Sequence, residues 1–134
     1  GVFNHCGSFG RWMNREGLYG PNEGAYGHTK NRYRSYFGFR GDRDYDSWWN
    51  IETLPKLCYE QSSALCEEIF AVAVKWASPP YSIDGWRLDV ADELPDEVID
   101  LMRSSVKEEK ADALATLKTT CGRIAKLHKK YFAF

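Results

Sequence analysis

The sequence predicts an α/β fold, an open run of strand and helix. Three observations predict it: a helical apolar stripe over 62–76, a two-faced strand over 81–90, and a second helix opening at Pro95. Its 134 residues fall far below the roughly 250 that a closed eight-fold β/α barrel needs. One compact domain is the expectation. It divides at 94/95, with the strand-bearing segment 1–94 followed by a helical segment 95–134.

The first helix is predicted over 62–76, where Leu65, Ile69, Val72 or Ala73, and Trp76 recur at intervals of three and four. Glu67, Glu68 and Lys75 are left for water, Ser62 or Ser63 for the N-cap, and Pro79 with Pro80 for the stop. From Tyr81 to Val90 the period changes to two. Gly85, Arg87 and Asp89 fall on one face, and Trp86, Leu88 and Val90 on the other, which a layer of helices would cover. Pro95 opens the next helix, with Asp96 and Glu97 at its positive end and Val98, Ile99, Met102 and Val106 as its apolar stripe. Beyond Lys110, Leu114, Leu117, Cys121, Ile124, His128 and Tyr131 recur in steps of three and four. That seam predicts a C-terminal helix docked on the rest, or used for self-association.

The N-terminal third is different in kind. Residues 1–5 read as a strand end running into a polar turn, and a stretch rich in glycine and aromatics continues to about Asn50. An excursion of this length is the mark of a lid or binding loop. Tyr26, Tyr33, Tyr36, Phe37, Phe39, Tyr45, Trp48 and Trp49 offer flat surfaces that either pack the loop or stack on sugar rings.

Charge excludes some partners. Eighteen Lys and Arg against 19 Asp and Glu leave a net charge of −1, which creates no field for nucleic acid or an anionic membrane. Lys30, Arg32, Arg34, Arg40 and Arg43 do interleave with Tyr33, Tyr36, Phe37 and Phe39, the one local pattern that fits nucleic-acid stacking. No run approaches 18 apolar residues, and no charged leader precedes an apolar stretch. Cys6, Cys58, Cys66 and Cys121 lack a C-x-x-C pair, so reduced, partly buried thiols of a cytoplasmic protein are expected.

Arg87 and Asp89 carry the chemistry. A carboxylate at a strand end, held ionised by a guanidinium two residues earlier, suits nucleophilic attack on an anomeric carbon. The same pair also suits an internal ion pair that anchors the strand.

Motifs tip that balance. Gly1-Val2-Phe3-Asn4-His5, Leu54-Pro55-Lys56-Leu57-Cys58 and Tyr81-Ser82-Ile83-Asp84-Gly85-Trp86-Arg87-Leu88-Asp89-Val90-Ala91 follow one another in the order of the α-amylase family of glycoside hydrolases. Residues 1–94 resemble that family, most closely its neopullulanase and cyclomaltodextrinase branch. The resemblance implies a partial (β/α) barrel holding about the third and fourth strands, with the C-terminal helix replacing the fifth. It implies Asp89 as nucleophile, Arg87 as its companion, His5 as a ligand of the reacting sugar, and an α-linked glucan or maltooligosaccharide as partner. Trp48 and Trp49 are the loop aromatics assigned to substrate. Asn4 is implied either as a calcium ligand or as a local structural residue.

Two departures qualify the inheritance. Cys58 replaces the usual Asn or Asp, removing a hard oxygen donor from any calcium site. The motif bearing the general-acid Glu is not found after Ala113-Leu114, and neither Glu93 nor Glu108 has a context that would substitute. The expectation is a fragment derived from an α-glucan hydrolase, inactive alone and requiring no cofactor. A non-catalytic glycan- or protein-binding remnant is the competing one.

Overall fold

The computed structural model describes residues 1–117, with the side chains of 114–117 excepted. Contacts divide the chain into two compact units, Asn4–Cys66 and a second made of Gly1–Phe3 with residues 67–117.

The second unit contains the α/β elements: the greater part of helix α1 (Ser63–Ala77), strand β1 (Gly85–Leu88), helix α2 (Asp96–Glu109) and strand β2 (Leu114–Leu117). β1 and β2 pair in parallel, in a register that sets Gly85 opposite Leu114 and Leu88 opposite Leu117. On the other side of β1, the Gly1 nitrogen donates to the Arg87 carbonyl at 2.6 Å, and the Asp89 amide donates to the Gly1 carbonyl at 2.9 Å. One residue bonded on either side of Leu88 is the parallel ladder pattern. β1 is therefore the middle of three parallel segments. Among the described residues no closed barrel forms; the fold is part of a β/α barrel.

Helices cover one face of β1. Val98, Ile99, Met102 and Val106 of α2 are buried, as the spacing predicts, and Trp86, Leu88, Ile99, Met102 and Val106 line a common apolar pocket. The Trp86 indole donates to the Ala73 carbonyl of α1 at 3.1 Å. Phe3 meets the same indole edge-on, with centroids 5.3 Å apart. Pro95 serves as the N-cap residue of α2, and Asp96 and Glu97 fill the first turn. Lys110, just past α2, donates to the Ile83 carbonyl at 3.2 Å, the Ser82 carbonyl at 3.4 Å and the Asp84 carboxylate at 2.9 Å.

Three sequence expectations need correction. The strand is shorter than 81–90, because residues 78–83 are tied into turns: the Tyr81 and Ser82 amides bond the Ser78 carbonyl, and the Ile83 amide bonds that of Trp76. In α1 the buried stripe is Leu65, Ile69, Ala73 and Ala77, while Trp76 is 42% exposed. A period of 3.6 lets the stripe run through either 76 or 77, and the smaller side chain took the buried place. Residues 114–117, read as the start of a helical seam, are strand β2, because pairing with β1 supplies a ladder that the spacing of two leucines does not reveal. The rest of the predicted C-terminal helix, 118–134, lies outside the described residues.

The unit Asn4–Cys66 has no regular strand among its residues. Isolated antiparallel bridges join His5 to Lys56, Phe37 to Leu57, Phe39 to Tyr45 and Ser47 to Pro55. Short 3-10 turns lie at Arg32–Tyr36, Trp48–Asn50 and Tyr59–Gln61. Met13, Ala25, Tyr33, Tyr36, Phe37, Tyr45, Leu57, Tyr59 and Leu65 are buried there. The predicted N-cap holds at its end, where the Ser62 hydroxyl accepts the Leu65 amide at 3.2 Å. Gly24 is obligatory in its place: its φ is +83°, and an added Cβ would stand 2.6 Å from the Met13 carbonyl oxygen.

Guanidinium groups take the place of a ladder. Arg34 donates to the Ala25 carbonyl at 2.9 Å, the Asp42 carbonyl at 2.8 Å and the Gly41 carbonyl, with its carbon 3.3 Å from the Phe39 ring centroid. Arg40 pairs with Asp44 and Asp46, Arg32 lies over Tyr33, and Arg43 lies over Tyr26. These are the four arginines of the five basic residues, Lys30 being the fifth, whose spacing resembles a nucleic-acid surface. Their internal contacts give them a structural use.

Candidate functional site

In the α/β unit the strand geometry brings Arg87 and Asp89 together on the face opposite Trp86 and Leu88. Arg87 Nη2 stands 3.1 Å from Asp89 Oδ1, with the two side chains 54% and 33% exposed. Partial exposure matters in both directions. Solvent weakens the pair as a source of stability, and it leaves the carboxylate accessible to an incoming ligand. Val90 follows with φ 50° and ψ 50°, a left-handed conformation in the bend after β1 that leads into the turn Ala91–Glu93. No pattern of residue types signals this, since a β-branched residue is among the last expected there.

The other predicted residues gather in the unit Asn4–Cys66. His5 Nδ1 lies 2.6 Å from Asn4 Oδ1, and Asn4 is 2% exposed. His5 stacks on Trp48 with centroids 4.6 Å apart and planes 23° from parallel; Trp48 stacks on Trp49 at 4.2 Å and 12°. Two rings at those spacings occupy opposite sides of the third, so Trp48 is the filling of a sandwich. Trp49 is its outer layer, 59% exposed. Its backbone is left-handed (φ 52°), as is that of Asn50 (φ 59°), and the Ile51 amide closes the turn on the Trp48 carbonyl at 3.0 Å. The predicted Trp48 and Trp49 thus differ in use: one backs the stack, the other faces outward.

The donor set at Asn4 does not fit calcium. Its side-chain oxygen is engaged by His5, and Cys58 offers sulfur to an ion that takes oxygen. Burial pushes the Cys58 thiol up, favouring the neutral form that ligates poorly, and pushes that of Cys6 up to about 12. Among the described residues no group of three or more His, Cys, Asp or Glu side chains is placed to hold a metal. No helix among them is long and apolar enough to cross a membrane.

Parallel strands with covering helices, and an Arg-x-Asp pair at the strand end on the open face, define the class: a segment of a β/α-barrel protein with its polar residues at the C-terminal end of a strand. The comparisons specify it further. The chain is 27% identical over 132 residues to an amylopullulanase of Thermoanaerobacterium saccharolyticum, covering 84% of this chain and 10% of that protein. A type III pullulan hydrolase from Thermococcus kodakarensis superposes with a TM-score of 0.75 at 24% identity, covering 96% of this chain and 22% of the other. A cyclomaltodextrinase superposes with a TM-score of 0.68 at 27% identity, covering 86% and 19%. No family model matches the chain. Over most of its length the chain is homologous to α-amylase-family glycoside hydrolases of the cyclomaltodextrinase and pullulan-hydrolase branch. It spans about a tenth of the curated relatives it matches and about a fifth of the solved structures.

Proposed function

We propose that the chain is a segment of an α-glucan-acting hydrolase in which Asp89 is the nucleophile and Arg87 orients it, and that this segment alone does not hydrolyse α-glucans. The Arg87–Asp89 pair at the end of β1 carries the reading. In retaining cleavage a carboxylate oxygen bonds to the anomeric carbon as the glycosidic C–O bond breaks, and the departing oxygen takes a proton from a second carboxyl across the bond. Neither Glu93 nor Glu108 suits that task. Glu108 is exposed on α2, which covers the opposite face of β1, and Glu93 is exposed in the turn after Val90. General acid assistance commonly contributes about 10²–10⁴-fold, so its loss removes turnover on an unactivated substrate.

The test compares the purified chain with Asp89→Ala on starch and on an activated α-glucoside whose leaving group departs without a proton. No starch hydrolysis and slow, Asp89-dependent reaction of the activated glycoside are expected. Starch hydrolysis lost in Asp89→Ala would show that a second carboxyl completes the site. Reaction of the activated glycoside unchanged by Asp89→Ala would remove Asp89 from the mechanism.

The exposed face of Trp49 favours a second reading, weak glycan binding without chemistry. A pyranose ring presents an apolar face to an indole, and an open platform buries less ligand than a closed pocket, so only loose binding follows. Titration with maltooligosaccharide should quench tryptophan fluorescence at roughly millimolar concentration, with a β-glucan silent and Trp49→Ala abolishing the response. Equal response to both glycans would sink this reading.

A further inference from the structure

We propose that Val90 is a positioning residue for Asp89, its left-handed backbone turning the chain away one residue after the carboxylate and holding that carboxylate beside Arg87. The inference rests on reading Asp89 as the nucleophile.

β1 ends at Leu88, and Asp89, the first residue of the turn, keeps one ladder bond, its amide donating to the Gly1 carbonyl at 2.9 Å. One residue later the direction changes. At φ 50° and ψ 50°, Val90 adopts a conformation that its branched Cβ opposes, and such outliers persist only where surrounding structure imposes them. Here the next turn imposes it. The Val90 carbonyl accepts the Glu93 amide at 3.1 Å, the Ala91 carbonyl accepts that of Leu94 at 3.1 Å, and Ala91 and Leu94 are 0% and 1% exposed. Burial of those two side chains holds Val90 in its turn.

The consequence falls on the open face. In a continued strand residue 91 would stand next to Asp89, two places along on the same side. The turn withdraws Ala91 and buries it. The carboxylate then becomes the terminal side chain of its row, with Arg87 behind it at 3.1 Å and 33% of its surface open. A nucleophile needs a fixed rotamer and some surface open to the substrate.

The experiment reads the Asp89 side chain directly. Three-bond Hα–Hβ couplings of Asp89 are measured by NMR in the full chain for the wild type, Val90→Gly and Val90→Pro. Trapping by an activated 5-fluoroglycosyl fluoride is followed alongside, where Asp89 forms the ester as fluoride departs. Glycine accepts the left-handed region and should keep one Asp89 rotamer. Proline, confined to φ near about −65°, should average the couplings and slow trapping at least about tenfold. A folded Val90→Pro with wild-type couplings and trapping overturns the inference. Should that variant not fold, Val90→Asn and Val90→Ala decide: Asn tolerates the left-handed region better and should melt at the higher temperature, and the reverse order overturns the inference. No trapping of the wild type, with the rotamer results as expected, would count against the nucleophile reading while supporting the positioning role.

Discussion

The unit of Gly1–Phe3 with 67–117 and the unit Asn4–Cys66 hold themselves together in different ways. The first uses repeated structure: a parallel ladder, and a helix whose four buried side chains recur at helical spacing. The second uses single, unrepeated contacts, such as Arg34 on three carbonyls and an aromatic core of edge-to-face rings. Repetition spreads stability over many equivalent groups, whereas clamps concentrate it in a few. A mutation should therefore act through lost volume in one unit and through stranded backbone carbonyls in the other.

The larger expected effect is at Met102, 3% exposed between α2 and β1. Met102→Ala should cost about 3 kcal/mol from lost transfer and an unfilled cavity, measured by chemical denaturation with helical circular dichroism as the probe. A cost under about 1 kcal/mol would mean that the pocket beside Trp86 collapses to fill the space. Next comes Arg34→Ala, which leaves three carbonyls to find water or new partners and removes a stack on Phe39. About 2 kcal/mol is expected, appearing as faster amide exchange confined to residues 24–46. Arg34→Lys should recover little, because an ammonium cannot reproduce the planar fork. Uniform acceleration through α2 as well would show that the two units unfold together, and the contrast between them would dissolve.

Legibility follows the same division. Val98, Ile99, Met102 and Val106 were readable because each repeats the constraint of its neighbours, and the shared face of Arg87 and Asp89 because a strand alternates. β2 was not. Four residues are too few to display a period, Leu114 and Leu117 stand at a helical interval, and the partner that makes them a strand lies 29 positions earlier in the register. Trp76 was misplaced by one position because composition does not say which of two adjacent residues the covering face will admit. In Asn4–Cys66 the residue types mark a long excursion rich in glycine and aromatics, and Trp48 and Trp49 stand side by side in it. That Trp48 is enclosed and Trp49 outward depends on two left-handed residues that no propensity announces. Arg34 looked like a surface cation, because carbonyl acceptors belong to the backbone and leave no trace in side-chain identity.

Lys110 has a consequence for the sheet as a whole. Antiparallel strands inherit their alignment from the hairpin that joins them; parallel strands have no such guide and can in principle slide. A slip of one position would swing Arg87 and Asp89 to the helix side and turn Trp86 and Leu88 to the open one. The ammonium of Lys110, gripping the carbonyls of Ser82 and Ile83 and the carboxylate of Asp84, fastens the chain four residues before β2 to the chain just before β1. It works as an indexing pin, so that a contact at the foot of the strands decides which residues stand at their heads.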